Sequence, residues 1–564
     1  MSSLSHIPSL SLAASIAATL GVYALYTLLK VFYQEYTSPL RNVPGPKSDN
    51  WLHGNREAVF KHMIDDQGGL WTERYGRTVR INTFFGFSQL YTTDSKAMQH
   101  ILSNNYLYQR PPEGRYFLGR VVGPGVLVVE EDVHKKQRKI LNPAFGPTQL
   151  RALTEIFVEK SRQLRDLWLA RAASDGGVAR VNVVPEFSTA ALDIIGKAGF
   201  NYDFRSLGTG SENIRDELHE AFAKIADSQA FTGFFDVLKA RFAFLRAILP
   251  YTKVDKIINN SQATMRRIGL GLLNESRRNI AEGKSADHVA LRDLLSLLVR
   301  ANMSKDISES QRLSEEDVLA QVPTFLVAGH ETYAYSTFFM SSEIDSFTLL
   351  PISTAASWAL FELATNPKIQ TRLRNELLAV DNENPSMDEL NALPYLDCVV
   401  RETLRAHAPV TLNFRVATRD DVIPLETPYT DRNGTVHETL TIRKGQTTVL
   451  PILAVNRDPA IWGPTAHQFI PERWESNVST SIPGVWSQML TFIGGPRACI
   501  GFRFSIIELK ALLFTLVRGL EFELAVPAAD IARRQMAIVQ QPMVRSDPAG
   551  GAQLPILIKS FIQS

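Results

Sequence analysis

Cysteine is almost missing from this chain: 564 residues carry only Cys398 and Cys499. So few exclude a disulfide scaffold and a four-cysteine zinc site. A charge excess of either sign is missing as well. The balance of 60 basic against 58 acidic residues leaves +2; no global field draws in nucleic acid, and no nucleic-acid partner is expected. No Lys, Arg, Asp or Glu occurs from Met1 to Leu29, and without a basic n-region a cleaved secretory peptide is disfavoured. After residue 50 there is no internal repeat and no long low-complexity tract. What is present, 45% hydrophobic and 21% charged residues, is the composition of a large globular core.

As a helix, the uncharged run from Ile7 to Leu29 would reach about 34 Å, enough to cross a hydrocarbon core. Serines and alanines dilute it, and a buried or cleaved helix is the competing reading. Lys30, Arg41 and Lys47 follow it, so the positive-inside rule leaves the bulk of the chain in the cytosol. Residues 1–33 are therefore read as a membrane anchor in contact with lipid. Residues 34–50, with Pro44-Gly45-Pro46, form a stiff hinge, and 51–564 form one large domain. Within it, residues 77–92 alternate like strands, most segments from 95 to 330 have helical periodicity, and Ser314 followed by three acids marks a helix start. Further helices are expected over 356–381, 395–407 and from Cys499 to about 519, with Asn433-Gly434 as a hairpin turn. The fold class is mainly α with a small β portion.

Chemistry concentrates at residues 492–501, Phe-Ile-Gly-Gly-Pro-Arg-Ala-Cys-Ile-Gly. Phe492, Gly495, Arg497, Cys499 and Gly501 fit F-x-x-G-x-R-x-C-x-G at every fixed position. A thiolate that ligates iron needs close backbone approach, N–H donors around sulfur and a helix N-terminus nearby. Glycines permit such a turn, and the helix expected from Phe502 supplies the dipole. The bland alternative is a small buried cysteine in a glycine-rich loop. The segment resembles the haem-binding loop of the cytochromes P-450, the haem-thiolate monooxygenases. The resemblance extends over nearly the whole chain after the hinge and implies that fold, with haem b as cofactor and Cys499 as the axial iron ligand.

Other motifs follow from the same resemblance. Glu402 and Arg405 share a helix face and, with Arg473 of Pro-Glu-Arg-Trp, are similar to the family's Glu-Arg-Arg cluster, which supports the cysteine loop. His134-Lys-Lys-Gln-Arg138 stands where W-x-x-x-R is usual, with His for Trp; both residues, with Arg415 and Arg497, are implied propionate partners. Ala328-Gly329-His330-Glu331-Thr332 resembles the element facing the oxygen side of the haem, with Thr332 as hydrogen-bond donor and Glu331 as proton relay; His330 receives no role. This sequence then departs from the family. Tyr333 to Ile352 intervenes before the usual continuation, here Ser353-Thr354-Ala355-Ala356-Ser357-Trp358. A retained intron is the preferred reading and a real loop-out the second.

Lys135, Lys136, Lys139, Arg503 and Lys510 form either a basic docking face for an acidic reductase or a merely solvated surface. A Phe-rich stretch over 222–249 is either a membrane-dipping lid or helix-core packing. The expected activity inserts one oxygen atom from O₂ into a lipophilic organic molecule. NADPH-cytochrome P-450 reductase would supply electrons, with cytochrome b5 as a second donor. The expected location is the endoplasmic reticulum membrane, single-pass, with the catalytic domain cytosolic. The rival readings are a haem-thiolate isomerase or dehydratase, and a haem-binding membrane protein impaired by the interruption.

Overall fold

A computed structural model of the protein describes residues 7–48, 50, 54–55, 69–83, 86–208, 217–218, 220–221, 224, 234–282, 292–304, 308–329, 351–476, 478, 480–536 and 539–561. Helices of eight residues or more are labelled in chain order. They are α1 (Ile7–Tyr36), α2 (Ser95–Ser103), α3 (Pro112–Val122), α4 (Glu131–Leu141), α5 (Pro147–Ser174), α6 (Val183–Phe200) and α7 (Phe234–Arg241). Then come α8 (Lys253–Ala281), α9 (Leu294–Met303), α10 (Gln321–Gly329), α11 (Pro351–Thr365), α12 (Pro367–Leu378), α13 (Pro394–Ala406) and α14 (Phe502–Gly519).

The expected mainly helical domain is observed. Its centre is α14, which buries nearly every side chain and packs along α5. Phe157 meets Phe504 edge to face at 4.7 Å. Helix α5 starts on Pro147, whose missing N–H is harmless in a first turn, and buries Leu150, Leu153, Phe157, Leu164 and Trp168 as one face. Helix α6, almost wholly buried, is stopped by Asn201 at φ +52° and carries both α10 and α11 on its flank. The helix expected over 356–381 is two helices. Thr365 Oγ1 and Asn366 Nδ2 fold back onto the Phe361 and Glu362 carbonyls, and Pro367 starts α12, because its ring cannot continue α11. The expected start at Ser314 is a capping box with Asp317.

Strands are few and peripheral. Five form one sheet in the order β1-β2-β8-β5-β3: β1 (Thr78–Asn82), β2 (Ser88–Thr92), β3 (Tyr108–Gln109), β5 (Asn413–Ala417) and β8 (Thr447–Leu450). Among the described strands, the β2/β8 pairing alone is parallel. A second sheet joins β4 (Val178–Asn182), β12 (Pro555–Ser560) and β9 (Leu520–Leu524), while β10 (Ile531–Met536) pairs with β11 (Val539–Val544). The Asn433-Gly434 turn is present between β6 (Asp421–Thr430) and β7 (Val436–Ile442), with Gly434 at φ +86°.

Helix α1 extends to Tyr36, past the expected anchor boundary at residue 33. Among the described residues no helix is long and apolar enough to cross a membrane, so the hydropathy does not support the expected span. Serine, threonine and glycine weaken it, although Thr19 and Thr37 satisfy their hydroxyls on carbonyls four residues earlier. The C-terminal end of α1 is tied to the domain: Glu35 accepts the Ser88 hydroxyl at 2.6 Å, and Phe32 lies 6.1 Å from Phe87.

Candidate active site

A cavity of about 290 Å³ opens above the cysteine loop, with lining contributed by α3, α4, α6, α9, α10, α11, α13, α14 and β5. The loop that forms its floor is held in place by its backbone. Ile493 sits at φ +56° and Gly495 at φ +72°. A β-branched residue in the left-handed region is strained; Ile493 is fixed by its N–H on Leu490 O (2.7 Å) and by Val485 N–H on its own carbonyl (3.0 Å). A Cβ on Gly494 would overlap the Pro483 carbonyl, and one on Gly495 the Leu102 carbonyl. These two glycines are required by close backbone approach. At Gly501 a Cβ would meet only the Phe145 ring, at 3.7 Å. Protein packing therefore does not demand glycine there, but Gly501 lines the cavity, where a flat group lying on the floor would need that space.

The Cys499 N–H donates to Phe492 O at 2.9 Å, and the side chain opens onto the cavity. Burial pushes the thiol pKa up, while the Gly501 N–H and the Arg138 charge pull it down. Coordination to a metal would deprotonate it outright. Among the described residues no group of three His, Cys, Asp or Glu is arranged to hold a metal ion. Porphyrin iron, which brings most of its own ligands, suits a site that offers a single sulfur.

At the cavity's edge the side chains are cationic. His134, Arg138 and Arg497 line it as expected, and so does Arg110, which the sequence reading missed. Arg138 reaches from α4 to the Ala498 carbonyl. Arg497 donates to the Val126 carbonyl at 3.2 Å and contacts the Val129 carbonyl and the Glu130 carboxylate. Burial, then Arg110 and Arg115, pull the Arg497 pKa down to about 8. Burial, then Arg138 and Arg110, pull His134 down to about 4, so the imidazole is a neutral donor at physiological pH. Guanidinium groups crowded this closely are relieved by anions, and two propionates on one edge of a flat ring fit. Arg415 is placed differently from the other three expected partners. It is buried on β5, bonded to Asn413 and the Phe414 carbonyl; those two residues line the cavity and Arg415 does not.

The Glu402, Arg405 and Arg473 cluster is assembled as expected. Arg405 Nε and Nη2 bond the two Glu402 oxygens at 2.9 and 2.8 Å, and its remaining N–H groups reach the Asn456, Ala466 and Gln468 carbonyls. Arg473 Nε lies 3.5 Å from Glu402, which also accepts Ile470 N–H and Trp474 Nε1. From there the Asn456 side chain bonds Leu490 N–H and Thr491 Oγ1. The cluster thus reaches the residue next to Phe492, whose carbonyl holds Cys499.

On the opposite side, α10 supplies Thr324, Phe325 and Val327, and α11 supplies Ala355. Glu331, Thr332, His330 and residues 333–350 lie outside the described residues. The expected continuation Ser353–Trp358 is helical and buried, and its helix begins at Pro351. Two surface readings change. Lys510 is buried, pairing with Asp397 at 2.8 Å and Asn391 at 3.0 Å, so it belongs to no basic face. In the Phe-rich stretch, Phe235 and Phe244 are exposed with Ile248 and Tyr251, so core packing does not account for them; Phe222 and Phe231 lie outside the described residues.

One thiol beneath a largely apolar cavity with a cationic edge defines a haem-thiolate site. The chain belongs to the cytochrome P450 family: the family's sequence profile matches residues 44–341 and 351–544. The gap, 342–350, falls inside the interruption noted in the sequence. Two proteins of Postia placenta, cytochrome P450 monooxygenases 205 and 128, are each 45% identical to it over 97% of this chain, covering 99% and 97% of their own lengths. A ganoderic acid synthetase of Ganoderma lucidum is 31% identical over 89% of this chain and 91% of its own length. The chain is a haem-dependent monooxygenase, and haem b is its cofactor.

Proposed function

We propose that the protein inserts one oxygen atom from O₂ into a lipophilic organic molecule of secondary metabolism, using NADPH electrons delivered by NADPH-cytochrome P-450 reductase, with cytochrome b5 as accessory donor. The observation that carries the reading is the cavity itself: Leu118, Val126, Phe325, Val327, Leu412 and Phe414 surround the space in front of Cys499. Such walls bind apolar surface and exclude water. Haem, when bound, supplies oxygen activation. The chain's own part is to hold it by Cys499, His134, Arg138 and Arg497, to present a hydroxyl at Thr332 and to relay protons through Glu331. The exposed Lys135, Lys139 and Arg503 favour an acidic electron donor.

The test is turnover with reductase, NADPH and ¹⁸O₂ over steroid, terpene and fatty-acid probes. It is run on the 564-residue chain and on a form lacking residues 333–350. Each product is expected to carry one ¹⁸O atom, and the shorter form to turn over faster, as a retained intron requires. If haem-loaded protein of either length consumes no NADPH on any probe, the monooxygenase reading of this chain fails. If only the long form works, the interruption is a genuine loop.

Single-pass attachment to the endoplasmic reticulum membrane, with the domain cytosolic, is part of the same proposal. It is supported by the uncharged N-terminus, the basic residues that follow it, and exposed Tyr23, Tyr26, Phe32, Tyr33 and Tyr36 along α1, since aromatic side chains favour the membrane–water interface. Phe244, Ile248 and Tyr251 suit a second contact with lipid. Full-length protein is expected to sediment with membranes and to resist alkaline carbonate; release into the supernatant would overturn the attachment.

A further inference from the structure

One carboxylate stands among the guanidinium groups at the cavity's edge, and no motif predicts it. Glu130 is 9% exposed. Its Oε2 contacts Arg497 Nη2, and its Oε1 accepts the Arg110 backbone N–H at 3.2 Å. It precedes the first residue of α4, where the helix dipole favours a negative charge. Glu131, the next residue, holds φ +52°, a left-handed conformation unfavourable for a glutamate. Across that bend the two acids diverge: Glu131 accepts Gln109 Nε2 at 2.7 Å, while Glu130 meets Arg497.

Arg110, Arg138 and Arg497 bring three positive charges to the edge, Arg115 stands close enough to act on Arg497, and His134 brings none. Two haem propionates would cancel two of the three. Glu130 supplies a third negative charge against them. We propose that Glu130 is a positioning residue for haem: it shares Arg497 with a propionate and, by offsetting part of the guanidinium charge, keeps the iron harder to reduce than the arginines alone would make it. The physical reason is Coulomb's law in a partly buried site, where one uncompensated charge is felt over several ångströms. A surplus positive charge favours the reduced iron, which carries one more electron. The proposal rests on haem occupying this cavity, which the spectrum of the wild-type holoprotein checks separately.

The decisive variant is Glu130→Gln, which keeps the shape and an acceptor for the Arg110 N–H but removes the charge. The midpoint potential of the substrate-free holoprotein is expected to rise, and Glu130→Asp, which retains the charge, to restore it. A potential that is unchanged or lower in haem-loaded E130Q overturns the proposal, as does an E130D potential that follows E130Q. Should E130Q take up no haem, E130D decides. Native haem content and potential in E130D support the role of the charge, whereas haem loss in both variants assigns Glu130 to packing and overturns it. A wild-type protein without a haem spectrum would instead sink the cofactor reading on which this rests.

Discussion

Cys499→Ala is expected to abolish the absorption near ~450 nm that reduced, CO-treated wild-type protein should display, since that band requires a thiolate opposite CO. No other thiol can take its place. Cys398 lies on α13, away from the cavity, and burial followed by the Asp397 charge pushes its pKa up to about 11. The variant should nevertheless fold, because the loop is held by backbone bonds at Phe492, Ile493 and Cys499 N–H, none of which needs sulfur. Haem content and circular dichroism measured together check this: an intact helical spectrum with the ~450 nm band gone is the expected pair. A Cys499→Ala protein that keeps the band contradicts the assignment.

Glu402→Ala should do more, removing the holoprotein altogether. Arg405 is fully buried, with every N–H group engaged, and among the described residues its carboxylate partner is Glu402. Taking one partner from a buried ion pair costs roughly 3–5 kcal/mol, because the other charge is left uncompensated. Set against a typical total stability of about 5–15 kcal/mol, that loss is large, and Trp474 and Ile470 lose their acceptor as well. Arg151 and Asp388 offer the control. They form a good-looking pair in which both side chains are more than half exposed, and Asp388→Ala should leave stability unchanged. Thermal melting and haem content measure the difference. A Glu402→Ala protein with wild-type values for both would show that the cluster is dispensable.

Legibility from sequence followed the spacing of residues. The cysteine loop, the Glu402/Arg405 pair and Arg473 could be read because their chemistry fixes distances along the chain, and the structure brings them together. Arg110 lies before α3 and nothing sets its spacing from Arg138; it reaches that edge because the chain turns back between α3 and α4, while Glu130, at the start of the helix that carries Arg138, belongs to no motif. Lys510 was misread because a lone lysine on an apolar helix looks like a solvated charge, and its partner Asp397 is more than a hundred residues away. The break at Asn366-Pro367 was in the letters, but a helical pattern on both sides outweighed one proline. At the N-terminus, length and absence of charge suggest a span, while the small hydroxylated residues along α1 lower its hydropathy.

The sheet that joins β4, β12 and β9 sets a timetable for synthesis. Val178 pairs with Lys559, so β4 leaves the ribosome long before its partner exists. At about 5–20 residues per second, the roughly 380 residues between them take on the order of 20–75 s to make. For that interval β4 is an unpaired edge, the kind of surface that recruits stray strands. The cysteine loop waits too: Gly495 seats against Leu102, and Arg138 reaches Ala498, so early and late parts of the chain must both be present. Haem therefore has nowhere to dock on a nascent chain. Its uptake waits until the cysteine loop has been made, late in synthesis, so the cofactor cannot stabilise the half-made protein.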